Sequence, residues 1–68
     1  MNQQDPKTLV KMANQIALNI PDRANVSQAV SAHIARFWAP SLIATLQNHI
    51  ASHPKEVSEE VHEALKKL

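Results

Sequence analysis

Glycine is missing from this chain altogether, and so are cysteine and tyrosine. Glycine lets backbone turn through the left-handed region and approach a phosphate closely. Without it, neither a P-loop nor a dinucleotide-binding fingerprint can be built. Without cysteine there is no disulfide framework, no thiolate metal ligand and no thiol nucleophile. The aromatic complement is one Phe and one Trp. Charge of one sign is also scarce. Seven Lys and Arg against six Asp and Glu give a formal charge of +1, too small a bias to point to nucleic acid or a membrane surface. No apolar run approaches the roughly 20 residues of a membrane span. No charged segment leads into an apolar run at the N-terminus, so the expectation is a soluble, cytoplasmic protein.

What is present is helix-forming sequence cut by four prolines, at positions 6, 21, 40 and 54. The pieces have helical length, and the predicted fold class is all-α, a small bundle of three to four short helices. Residues 1–5 are expected to be a flexible N-terminus and 6–68 a single helical domain. A domain of this size buries only about 60% of its unfolded surface, and its core supplies roughly 3–5 kcal/mol unless a disulfide, a metal or a partner assists.

Asp5 and Pro6 mark a helix start, with the carboxylate capping free amides and Pro at a position that sacrifices no hydrogen bond. Leu9, Met12, Ala13, Ile16 and Ile20 then share one face at helical spacing, and Pro21 ends the helix near Asn19 or Ile20. Leu18 lies opposite that stripe. It is either a tolerated exposed leucine or part of a second apolar face for a partner. After a polar connector with Asp22 and Asn25 as candidate caps, a second helix runs to about Trp38. Its expected stripe is Val26, Val30, His33 and Phe37, flanked by Ala29 and Ile34. Phe37 and Trp38 are neighbours and cannot both enter one narrow core. Phe37 is expected to fill the core, and Trp38 to cover the next helix or a partner. Pro40 opens a third helix over about 40–52, carrying Leu42, Ile43, Leu46 and Ile50. Ser58 is placed to cap a short last helix with Val61, Ala64, Leu65 and Leu68, whose glutamates precede its lysines as the helix dipole favours.

The polar residues offer little chemistry. His49 and His53 are four apart, hence on one helical face as a two-histidine metal pair would be, but no carboxylate spacing completes such a site, and edge histidines are the simpler reading. His33 interrupts an apolar stripe and reads either as a core histidine satisfied by backbone or as a polar anchor at a subunit interface. No nucleophile, acid and base fall at a suggestive spacing, so neither catalytic residues nor a cofactor is expected. A recognition helix for DNA needs basic residues along it; the second helix has only Arg36 and the third has none. Arg36 is either an ordinary solvated arginine or a donor to a partner's carboxylate or carbonyl.

Two blocks carry a family resemblance. Leu9-Val10-Lys11-Met12-Ala13-Asn14-Gln15-Ile16 and His33-Ile34-Ala35-Arg36-Phe37-Trp38-Ala39-Pro40, in this order and spacing, resemble the delta subunit of cytoplasmic NAD-dependent formate dehydrogenases. The likeness, with a last helix of the Val61–Leu68 type, covers roughly residues 8–68. It implies a small noncatalytic subunit of a molybdenum- or tungsten-dependent enzyme. The alpha subunit of such a complex holds the pterin cofactor and iron–sulfur clusters, and beta and gamma subunits pass electrons from formate to NAD. The resemblance implies a delta subunit with no cofactor of its own, which stabilises the assembly mainly through the alpha subunit and assists cofactor insertion. Carried over residue by residue, it makes Asn14, Gln15, His33, Arg36 and Trp38 candidates for the partner interface, beside Leu18. The chain departs from the pattern at Ala39 and Ser41, where the family often has an acidic residue and an arginine. The family's glycine-rich connector is here Ser52-His53-Pro54-Lys55-Glu56, so charged contacts at that corner are expected to differ. The alternatives are a self-associating helical assembly chaperone for the same enzyme, forming a homo-oligomer when isolated, and a small DNA-binding regulator.

Overall fold

In the computed structural model, residues 5–68 are described; residues 1–4 of the expected flexible N-terminus lie outside them. Helix α1 spans Pro6–Leu18, α2 Val26–Phe37, α3 Pro40–Ser52 and α4 Glu59–Lys66. Single 3₁₀ turns at Arg23–Asn25 and Pro54–Glu56 lead into α2 and toward α4. No described residue has a positive φ. A chain without glycine has turned its corners entirely in the ordinary regions of backbone space, using prolines and 3₁₀ turns where a left-handed residue would otherwise serve.

The boundaries follow from local chemistry. The Asp5 carboxylate accepts a hydrogen bond from the Lys7 amide at 3.0 Å, and Pro6 takes the first helical position. Asp22 caps the 3₁₀ turn through the Ala24 amide at 3.2 Å. Ala39 is extended ahead of Pro40, as the residue before a proline must be to avoid the ring. Ser58 caps α4 by accepting from the Val61 amide at 3.4 Å. Glu59 and Glu60 sit in the first turn of α4 and Lys66 in its last, in the order that complements the helix dipole.

All four helices contribute to one core. Leu9, Ala13 and Ala17 come from α1, and Val26, Val30 and Ile34 from α2. Leu46 and Ile50 come from α3, and Val61, Ala64 and Leu65 from α4. The most extensive helix pair is α2 with α4. Each large aliphatic side chain fully buried here, such as Leu9, Ile34 or Leu46, contributes about 1.5–3 kcal/mol of transfer free energy.

The register of α2 corrects the expected assignment of its aromatic end. Phe37 is 69% exposed, whereas Trp38 is only 9% exposed and belongs to the core. The buried row is Val26, Val30 and Ile34, extended by Trp38. His33, expected within the apolar stripe, is exposed, so its reading as a core histidine is also corrected. The physical reason is register: the buried row steps by four through 26, 30, 34 and 38, so Trp38, the C-cap of α2, falls on it and Phe37 falls beside it. Once Ile34 faces the core and the chain turns at Trp38, Phe37 is left outside.

A smaller shift occurs in α1. Leu9, Ala13 and Ala17 form its buried row with Val10, while Met12 is 41% exposed and Ile16 is half-buried. The apolar surface of this helix is wider than its buried surface.

Candidate partner-docking surfaces

The residues singled out as partner contacts divide between two faces. Gln15, His33 and Trp38 line one groove, between α1 and α2, of about 460 Å³. Met12, Ile16 and Asn19 complete its α1 wall, and Lys11 stands at its rim. The four α1 positions 12, 15, 16 and 19 recur at helical spacing, so the wall runs for two turns, roughly 10 Å at 1.5 Å per residue. Trp38 supplies apolar surface at the groove while most of its ring area is spent on the core.

Beyond His33 the surface continues to Phe37. The two rings are 4.8 Å apart, centroid to centroid, and inclined at 44°. The Arg36 guanidinium carbon lies 5.9 Å from the centre of the Phe37 ring, within reach of a cation–π attraction worth about 0.5–1 kcal/mol at an exposed position. Arg36 therefore belongs to the same strip of surface as His33, one side chain further along. No carboxylate lines the groove.

Asn14 and Leu18 belong to the other face. They line a second cavity of about 330 Å³ with Arg23, Lys55, Glu56 and Glu60. Leu18 is 70% exposed. Asn14, however, is already engaged within the chain. Its Nδ2 donates to the Glu56 carbonyl at 2.9 Å, and its Oδ1 accepts from the Ser58 amide at 3.1 Å. Both ends of one amide thus tie α1 to the connector that leads into α4. Gln15, next to it in sequence, faces the groove instead.

The remaining polar side chains hold the α3–α4 corner. His49 Nε2 meets Glu56 Oε1 at 2.7 Å. The His49 hydrogen bond, with the electrostatic influence of the nearby His49, His53 and Lys7, holds the Glu56 carboxyl below its ordinary range despite partial desolvation. His53 stacks on His49 with ring centres 4.5 Å apart. His62 Nε2 lies 2.7 Å from the Pro54 carbonyl oxygen. The i, i+4 histidine pair is therefore committed to local contacts, and among the described residues no group of three or more His, Cys, Asp or Glu side chains is placed to hold a metal ion.

Three contributors were not foreseen in the sequence. Arg23 Nη1 donates to the carbonyls of Ala17 and Ile20 at 2.8 and 2.9 Å, giving the Ala17 carbonyl a second donor beside the Ile20 amide and tying the connector to the end of α1. An arginine in the first residues after a helix is the available signal for such a cap. Met12 and Ile16 form the groove wall, although their spacing pointed only to the core. Among the described residues no helix is long and apolar enough to cross a membrane.

The family model for the NADH-dependent formate dehydrogenase delta subunit, FdsD, matches residues 8–65. Comparison with curated proteins and with solved structures gives no match.

Proposed function

This chain belongs to the NADH-dependent formate dehydrogenase delta subunit family, and on that premise we propose that it is a noncatalytic accessory subunit which binds and stabilises the cofactor-bearing alpha subunit. As a family member it is a delta subunit of a multi-subunit formate dehydrogenase complex. The observation that carries the proposal is the extent of the match, which takes in every helix of the fold. The pterin and iron–sulfur chemistry is assigned to the alpha subunit, and electron transfer to NAD to the beta and gamma subunits. A chain without cysteine offers no thiolate for a cluster. Its proposed contribution is surface, in the cytoplasm.

The exposed apolar residues support that reading. Met12 and Phe37 stand out from a fold whose core is small, and a partner that covers them adds stability which the isolated chain lacks. Gln15, His33 and Arg36 are the polar candidates for the contact. Trp38 acts from beneath, as the floor on which the surface is built.

The test is affinity purification of the tagged chain from its native host, with partners identified and quantified by mass spectrometry. Recovery of the alpha subunit with beta and gamma in fixed ratio is the expected result. Recovery of the chain alone, in cells making the enzyme, overturns the proposal. A partner recovered only before cofactor insertion replaces the permanent subunit with a transient assembly chaperone.

A further inference from the structure

We propose that the α1–α2 groove is the docking site for an amphipathic helix of another subunit, one that presents an apolar ridge flanked by carboxylates. The inference rests on the reading of this chain as an accessory subunit and specifies which of its two faces is used and what chemistry meets it.

Three observations carry it. The groove is apolar at its base, with Ile16 and Trp38, and is continued outward by the exposed Met12 and Phe37. Its α1 wall spans two helical turns, a length that suits the side chains of one helix packed in a trough between two others. Its charge is of one sign. Lys11 stands at the rim and Arg36 over the far side of Phe37, and among the described residues neither forms an ion pair. None of the chain's six carboxylates lines the groove. The occupant that complements such a surface is apolar in the middle and acidic at its edges, because an incoming lysine or arginine would meet like charge.

A second copy of this chain is the poorer fit. The apolar side of its own acidic helix, α4, is already buried through Val61, Ala64 and Leu65. The exposed Leu18 lies beside Glu60 at the other cavity, on a different face from the groove. Insertion of Leu18 into a neighbour's groove would be a head-to-tail contact, which gives a ring or an open chain and not a two-fold dimer.

The experiment measures binding of the purified full-length chain and its variants to the formate dehydrogenase complex prepared without this subunit. Circular dichroism is used to confirm that each variant is folded. Met12→Ala/Phe37→Ala and Lys11→Glu/Arg36→Glu are each expected to weaken binding at least about tenfold. The charge-reversed variant should also lose the salt dependence of the wild type. Leu18→Glu, on the opposite face, is expected to bind within about twofold of wild type. Hydrogen exchange on the complex should then show a protected partner helix bearing Asp or Glu beside apolar residues. Reversing those acids to lysine should restore binding of Lys11→Glu/Arg36→Glu. Wild-type binding that neither groove variant weakens overturns the groove assignment and leaves the accessory-subunit reading standing. Protection of a segment without carboxylates, or a self-dimer lost in Met12→Ala/Phe37→Ala, overturns the proposed partner chemistry. Failure of the wild-type chain to bind the complex overturns both readings together.

Discussion

Asn14 and Gln15 are adjacent, polar and nearly isosteric, yet they serve opposite halves of the molecule. Asn14 turns toward the α3–α4 corner, where both ends of its amide are used by backbone 42 and 44 residues away. Gln15 turns toward the α1–α2 groove, among Met12, Ile16 and His33. The corner is held together by polar contacts within the chain: Asn14 to the connector, His49 to Glu56, and His62 to the Pro54 carbonyl. The groove face has apolar side chains and cations without such internal partners. A small protein cannot cover all its apolar surface; here Met12 and Phe37 are left exposed on the groove side and Leu18 on the other, where hydrogen-bonding residues close the corner.

The strongest way to break this contrast is at the aromatic pair. Trp38→Ala removes a buried ring and is expected to cost about 3–5 kcal/mol, which is comparable to what a core of this size supplies. The isolated variant should be largely unfolded by circular dichroism at room temperature. Phe37→Ala, one residue away, removes an exposed ring and should cost no more than about 1 kcal/mol, the scale of its contact with Arg36. Equal loss from both variants in urea titrations would mean that the two rings share the core.

The next effect separates Asn14 from Gln15. Asn14→Ala leaves a connector carbonyl and an amide without their partner and should cost about 1–2 kcal/mol, read as a lower urea midpoint at unchanged slope. Gln15→Ala should leave that midpoint in place. If Asn14→Ala is neutral, the tie between α1 and the connector contributes nothing, and Asn14 returns to the candidates for partner contact.

The smallest effect is set by pH. Because the Glu56 carboxyl is held below its ordinary value of 4.5 in the folded chain, its contribution is present above that pH and is lost as the pH falls through the lowered folded value. The melting temperature of wild type should exceed that of Glu56→Gln near neutrality, and the two should converge in acid. A constant difference across the acid range would show that the His49 contact does not depend on the carboxylate charge.

Much of the secondary structure was legible because its signals are local. Proline at 6, 40 and 54, Asp5, Asp22 and Ser58 each act on backbone within a turn of themselves, and the helices begin or end at those residues. The two faces were not legible in the same way. Helical spacing placed Met12 and Ile16 with Leu9 and Ala13, since all four lie within one broad apolar arc, and nothing local states how much of that arc neighbouring helices cover. Asn14 gave no sign of its structural use, because both of its partners are backbone groups more than 40 residues away.

An all-helical chain, its punctuation and membership in its family were readable from residue order alone. These depend on residue types, on short-range spacing and on two short blocks read in order. Packing settled which of Phe37 and Trp38 is inside, and which neighbour of the Asn14-Gln15 pair faces outward. Those outcomes turn on which side of α1 and of α2 the other helices cover, and that is set by packing between segments distant in the chain.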